Sequence, residues 1–227
     1  MVSLNQKLYN LDDTDLSFYT IDNEDNISKR WDEKAKYWDK QLFNINNSHL
    51  NQDNEYNRFI NICKELSNSK NIDRIIDIGC GTGLVLESLQ NNFKCAIGID
   101  ISKSMIEEAK KKNISNTKFY QESLFKIDNN FYNKFDMTIS RGILISHYGK
   151  KYLNQILQIF YKLTKDKGFV IFDFLNKDVK REYEHLPKNK EYYSKEEIKQ
   201  YALKNNFKKI KIIGNNQNRV LIGILYK

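Results

Sequence analysis

Between residues 74 and 89 the chain changes character within a few positions. Arg74-Ile75-Ile76-Asp77-Ile78 is a short run rich in β-branched residues. It breaks onto alternating glycines, Gly79-Cys80-Gly81-Thr82-Gly83, and then onto a segment carrying Leu84, Val85, Leu86 and Leu89. A buried strand, a tight glycine turn and a helix start fit this pattern. Glycines there let the backbone reach positive φ and approach a ligand closely. The helix behind them presents free N–H groups. Such a junction places the chain in the α/β class, with a parallel sheet and a ligand crevice at the strand C-termini.

The rest of the chain repeats the alternation. Trp31, Ala35, Trp38 and Leu42 form one apolar stripe on a helix over 27–43, and Tyr56, Phe59, Ile60, Cys63 and Leu66 form another over 53–68. At that spacing the aromatics of the second stripe read as core. After the glycine turn, a strand over 95–99 leads to a helix with Ser102 as N-cap and Met105, Ile106 and Ala109 inward. A strand over 118–121 leads to a short irregular crossover. A strand over 135–140 leads to a long helix over 150–164, and a strand over 169–174 leads to a charged loop over 176–193. Ser194 and Glu197 have capping-box spacing for one more helix. The last two apolar runs, 207–213 and 219–226, are separated by Gly214 and Asn/Gln residues, a hairpin signal. The expected product is a doubly wound parallel sheet with a terminal hairpin, one strand of which runs against the others.

Size and composition narrow the function classes. A length of 227 residues suits one domain with a small appendage. No apolar run approaches the ~18 residues of a membrane-spanning helix, and the first ten residues are too polar for a signal peptide. Cys63, Cys80 and Cys95 are an odd number at no metal spacing, so they read as reduced, buried thiols of a cytoplasmic protein. The net charge of +8 divides unevenly, at −3 over 1–72, 0 over 73–140 and +11 over 141–227. A basic C-terminal part can steer an anionic substrate or touch nucleic acid; a lysine-rich solvated surface is the preferred reading.

Asp100 ends the second strand of the α/β core, 21 residues after Gly79, where a carboxylate can accept both hydroxyls of a ribose. That indicates a nucleoside-containing ligand. A dinucleotide site requires G-x-G-x-x-G, whereas the spacing here is G-x-G-x-G and Leu84 occupies the third glycine position. Asp77, just before the turn, suits the ammonium of an amino acid better than a pyrophosphate.

These residues carry a resemblance. The run from Ile75 to Gly83 resembles motif I of the class I S-adenosylmethionine-dependent methyltransferases, and Gly98-Ile99-Asp100-Ile101-Ser102 resembles their ribose motif. Phe135 to Ser140 is similar to their fourth strand, and Leu163 to Phe169 to the turn into their fifth. The resemblance covers roughly residues 70–227 and implies a Rossmann-like, seven-stranded, mostly parallel sheet with a C-terminal antiparallel hairpin. Residues 31–39 resemble the N-terminal cap helix of small-molecule members, in which an aromatic residue leans over the cofactor. Tyr-Asp is usual there; Trp38-Asp39 stands here, so Tyr37 and Trp38 are both candidates.

The implied layout is an arm and helical cap over 1–72 and a catalytic core over 73–227. The implied cofactor is S-adenosylmethionine, held by Asp77, Gly79, Cys80, Gly81, Asp100, Ile101 and Ser140 together with the cap aromatic. Where family members place an adenine-binding Asp, Ser123 stands here, with Glu122 before it and Leu124 after it; Ser123 and Leu124 are the candidates. The implied acceptor is an oxygen or nitrogen of a small biosynthetic metabolite, with anionic metabolites among the candidates. Arg141 would bind an acidic group of substrate or cofactor, and His147 would act as base or hydrogen-bond partner to a hydroxyl. The loop over 176–193, with Lys180, Arg181, Tyr183 and His185, is a candidate lid. No Asn/Asp-Pro-Pro-Tyr/Phe motif follows the fourth strand, which ranks a nucleic-acid methyltransferase lower. A non-catalytic cofactor-binding protein ranks lower still.

Overall fold

The computed structural model describes residues 24–47, 55–142, 144–180 and 190–227. The sequence expectation of a loose arm over 1–25 lies outside the described residues except for Glu24 and Asp25, which open the first helix, and those for Arg181, Tyr183 and His185 lie outside them entirely. Two helices come first, α1 (Glu24–Asn47) and α2 (Glu55–Lys70). The alternating part follows as β1 (Arg74–Ile78), α3 (Leu84–Ser88), β2 (Cys95–Asp100), α4 (Lys103–Lys111), β3 (Thr117–Gln121) and β4 (Phe135–Ser140). Next come α5 (Leu144–His147), α6 (Lys150–Leu163), β5 (Thr164–Asn176), β6 (Tyr192–Tyr193) and α7 (Lys195–Lys204), and the hairpin β7 (Lys209–Ile213) and β8 (Val220–Tyr226) closes the chain.

The strands lie in the order β3-β2-β1-β4-β5-β8-β7, with β6 added beside the end of β5. β1 to β5 are mutually parallel, and β8 alone runs antiparallel to its neighbours β5 and β7. The order reverses between β1 and β4, so the crevice opens above the C-terminal ends of those two strands.

Strand pleating divides the core into two layers. Ile76, Ile78, Phe135, Phe172 and Phe174 face one side and pack under α6 and α7 with Leu153, Ile156, Phe160 and Ile198. Ile75, Met137, Ile139, Phe169, Ile171 and Ile222 face the other, packing with Phe59, Ile60 and Cys63 of α2 and with Val85, Leu86, Ile106 and Ala109. α2 therefore builds the same core as the strands. Strand by strand, Asp77 falls on this second face, between Ile75 and the end of β1.

Three expectations need correction. The sheet has an eighth, two-residue strand, β6, where the sequence suggested only loop. β5 begins at Thr164, five residues early, and its pairing with β4 shifts register between Phe135 and Met137, with Lys167 at φ 65. Cys95 is exposed at the start of β2, whereas Cys63 and Cys80 are buried; all three are free. Among the described residues, no helix is long and apolar enough to cross a membrane, and no His/Cys/Asp/Glu cluster could hold a metal ion.

Candidate active site

The glycine turn is pinned to the end of β2. Gly79 N and Cys80 N both donate to Ile99 O, at 2.8 and 3.0 Å. Gly81 N donates to Asp100 Oδ2 at 2.8 Å, and Ser102 N donates to Asp100 Oδ1 at 2.9 Å. Gly79, Gly81 and Gly83 have φ of 72, 54 and 78°, a region that L side chains avoid. Asp100 thus holds the turn through both of its carboxylate oxygens. Burial raises its pKa to about 6, against hydrogen bonds from the Ser102, Gly81 and Ile101 backbone, which lower it.

Beside the turn is a cavity of about 350 Å³ whose lining runs from the ends of β2 and β1 across β4 and β5 to the start of β8. Asp77 lines it, is 1% exposed, and has no hydrogen-bond partner at either carboxylate oxygen. Burial, followed by the charge of Asp100, pushes its pKa up to about 8, while Arg141 pulls it down. An unpartnered buried carboxylate is costly. Its natural complement is a cation brought in by a ligand.

α1 roofs this cavity. Ile27, Trp31, Lys34 and Trp38 line it, one turn after another. Of the two cap aromatics, Trp38 faces the cavity, whereas Tyr37 is 55% exposed and does not line it. The roof is tied to the loops below it. Ser123 Oγ donates to Glu24, Ser28 Oγ to Ile101 O, Ser102 Oγ and Ser104 N to Asp32, and Thr82 Oγ1 to Asp39.

Past β4, Arg141 and His147 also line the cavity. The Arg141 guanidinium lies 4.7 Å from the centre of the Tyr56 ring, and its Nε is buried without a hydrogen-bond partner. The Tyr56 hydroxyl is fixed by Leu84 O at 3.0 Å and Ser88 Oγ at 2.9 Å. Asp173 Oδ2 accepts from Gly142 N at 3.2 Å and so anchors the loop that carries Arg141. His147 packs edge-on against Trp31, with ring centres 5.8 Å apart. Its pKa lies well below the usual histidine value. Burial is the first cause and the charges of Lys190 and Arg30 follow, while a hydrogen bond to the Gly142 backbone opposes them. The ring is therefore neutral at ordinary pH, a form that has one acceptor nitrogen.

A sequence profile described as a methyltransferase domain matches residues 69–217. The chain belongs to this methyltransferase family. The match starts just before β1 and takes in the glycine turn, Asp100, Arg141 and His147; α1 lies before it. The chain is 28% identical over 145 residues to a malonyl-[acyl-carrier protein] O-methyltransferase of Bacillus anthracis, covering 56% of this chain and 51% of that protein. It is 31% identical over 194 residues to an uncharacterised protein of Methanocaldococcus jannaschii, covering 82% and 60% respectively. The chain thus spans between half and two thirds of the length of these two relatives. The fold is shared with magnesium protoporphyrin IX methyltransferase of Synechocystis, solved with bound SAH, at a TM-score of 0.68 and 13% identity over 90% of this chain and 100% of that one.

Within this methyltransferase fold, most of the expected residues converge. Trp38, Asp77, Gly79, Cys80, Gly81, Asp100, Ile101, Leu124, Arg141 and His147 all border the cavity. Three do not: Tyr37, Ser123 and Ser140. Ser123 is buried and engaged with Glu24 and with Phe125 N, and the neighbouring Glu122 lines the cavity in its place. Ser140 is buried and donates to Ile78 O at 2.9 Å, which ties β4 to β1. The cavity also recruits residues the sequence reading leaves out, among them Glu55, Tyr56, Asp173 and Arg219. Tyr56 shares the helical spacing of Phe59 and Ile60, so periodicity assigns it to the core. Asp173 did carry a signal, a lone carboxylate inside the apolar run Phe172-Asp173-Phe174.

Proposed function

We propose that the protein transfers a methyl group from S-adenosylmethionine to an oxygen or nitrogen of a small metabolite. The observation that carries the reading is Asp77, a buried carboxylate with no internal partner, in a cavity that also offers Asp100 and a glycine turn. An α-ammonium complements Asp77, ribose hydroxyls complement Asp100, and Trp38, Ile101 and Leu124 offer apolar surface to the rest of a nucleoside. When bound, S-adenosylmethionine supplies a methyl group on a positively charged sulfur.

What the chain supplies is alignment and electrostatics. The roof formed by α1 covers one side of the cavity with Ile27, Trp31 and Trp38. The neutral His147 ring can accept the proton of an acceptor hydroxyl, help that is typically worth about 10²–10⁴-fold in rate. An amine that is already neutral needs no such help. The relatives' names differ in acceptor, malonyl-[acyl-carrier protein] in one case and magnesium protoporphyrin IX in another, so the small-molecule acceptor is drawn from the cavity beside the glycine turn.

The test uses S-adenosylmethionine labelled in its methyl group and a deproteinised, nuclease-treated metabolite extract. Label should enter a small-molecule fraction with the wild type. With Asp100→Ala it should be lost at low cofactor concentration, because a charge-assisted ribose contact is worth about 1.5–3 kcal/mol. Label that enters only RNA or protein in parallel incubations would contradict the reading.

A further inference from the structure

The cavity is acidic in a chain that is basic. Five carboxylates border it, those of Glu55, Asp77, Asp100, Glu122 and Asp173, against three cations, Lys34, Arg141 and Arg219. The whole chain has a net charge of +8. The neutral His147 ring adds nothing to the balance. S-adenosylmethionine carries a single net positive charge, so with these carboxylates ionised the loaded cavity is still negative. Asp77, Asp100 and Glu122 lie at the C-terminal ends of β1, β2 and β3, on the side given to the cofactor. Glu55 and Arg219 pair with each other at 3.1 Å. The remaining acid is Asp173, on β5.

Strand register explains its position. Phe172 pairs with Ser140, which puts Asp173 level with the residue that follows β4, and Asp173 itself pairs with Ile222 of β8. Ile171 and Ile222 pack in the layer under α2. The pleat therefore turns Asp173 onto that face too, while Phe172 and Phe174 enter the other layer. The carboxylate is 6% exposed and lines the cavity. Its Oδ2 accepts from Gly142 N at 3.2 Å. A neutral amide oxygen would hold that N–H too, so anchoring the loop does not call for a charge. The roof adds two indoles, since Trp31 and Trp38 both line the cavity with ring centres 5.0 Å apart. Aromatic faces, like carboxylates, attract cations.

Resting on the cofactor reading above, we propose that the methyl acceptor is a primary or secondary amine and that Asp173 receives its ammonium form. The ammonium releases one proton to water. The freed lone pair then forms the N–C bond as the S–C bond breaks, and the electron pair of that bond stays on sulfur. Positive charge passes from sulfur to nitrogen. A carboxylate that faces the nitrogen therefore stabilises the transition state more than the neutral amine before it. A carboxylate or alkoxide acceptor would instead bring further negative charge into a negative cavity.

The test uses the full chain, methyl-labelled S-adenosylmethionine and a deproteinised, nuclease-treated metabolite extract. Half of the extract is first acetylated with N-acetoxysuccinimide, which blocks amines that carry an N–H. Label should enter the untreated half only and should resist mild alkali, which frees the methyl of an ester as methanol. Asp173→Asn keeps an acceptor for Gly142 N and removes the charge. It should lower labelling at limiting extract by about ten- to hundred-fold, while calorimetric affinity for S-adenosylhomocysteine changes by less than about three-fold. Asp173→Glu should recover part of the labelling, since it restores the charge.

Equal labelling of the acetylated half, or label that alkali releases, overturns the inference. So does Asp173→Asn that labels like the wild type, or that loses S-adenosylhomocysteine in proportion, which would make the residue structural. A wild type that binds S-adenosylhomocysteine but labels neither half overturns the amine assignment and leaves the cofactor reading standing. A wild type that does not bind S-adenosylhomocysteine overturns both.

Discussion

Asp77 and His147 make opposite contributions to the pH dependence of the protein. The folded-state pKa of Asp77 is raised from 3.8 to about 8, so the folded chain keeps a proton that the unfolded chain releases between those values. By linkage, its contribution to stability falls as pH rises through that window. A cationic ligand reverses the preference for the neutral form. Binding of S-adenosylhomocysteine at pH 7 should therefore expel a proton, read as a difference in apparent enthalpy between two buffers of different ionisation enthalpy. Asp77→Asn should abolish that difference, and a wild type without it would show that the carboxylate does not meet the ammonium. His147 has its folded-state pKa lowered from 6.5. The unfolded chain takes up that proton first, so stability is lost as pH falls below about 6.5. In His147→Gln, urea midpoints should decline less between pH 6.5 and 5 than in the wild type; an identical decline would remove His147 from the account. Neither shift was legible in the sequence. The Asp77 position was, from its place before the glycines, but its isolation depends on Ile139, Arg141 and α2, which come from distant segments.

At the level of elements, α1 carries two stripes and the sequence displayed only one. The apolar stripe, Trp31, Ala35 and Trp38, is plain from spacing. The polar stripe, Glu24, Ser28, Asp32 and Asp39, has helical spacing too, but in the sequence it is indistinguishable from a solvated face. Its members reach the segments that follow β1, β2 and β3 beneath the helix. Asp32 serves α4 as a cap from outside the helix, since it accepts from Ser104 N at 2.8 Å and from Ser102 Oγ at 2.6 Å while Ser102 Oγ accepts from Met105 N at 3.1 Å. Asp32→Ala should cost about 1 kcal/mol, as capping losses do, and should speed the release of S-adenosylhomocysteine in stopped-flow displacement. An unchanged dissociation rate would show that α1 does not hold the cavity closed. The elements missed from the sequence, α5 and β6, are four and two residues long. They depend on distant partners: Glu191 N donates to Ser146 O at 2.9 Å, and the Tyr193 hydroxyl donates to Ile145 O at 3.1 Å. No local pattern of residues encodes contacts of that kind. The longer elements, each with an apolar period of its own, were legible to within a few residues.

For the whole molecule, strand order and charge distribution bear on the choice of partner. The basic surplus of the C-terminal part includes Lys165, Lys209 and Lys227, at the end of the sheet opposite the cavity. Several of these lysines have structural work there. Lys227 Nζ donates to Asn133, to Tyr161 O and to Thr164 O, Lys165 pairs with Asp136, and Lys209 lies 5.4 Å from the centre of the Tyr226 ring. Filter binding at near-physiological salt should accordingly show no tight complex with duplex DNA or structured RNA; sub-micromolar binding that weakens steeply with salt would make nucleic acid the partner. The central claim rests on a turn of G-x-G-x-G type between an unpartnered Asp77 and a cavity-lining Asp100, at the point where the strand order reverses. Parallel calorimetric titrations of the wild-type chain with S-adenosylhomocysteine and with NAD test it most directly. Saturable 1:1 binding of S-adenosylhomocysteine with no detectable heat from NAD is the predicted result, and tighter binding of NAD would contradict it.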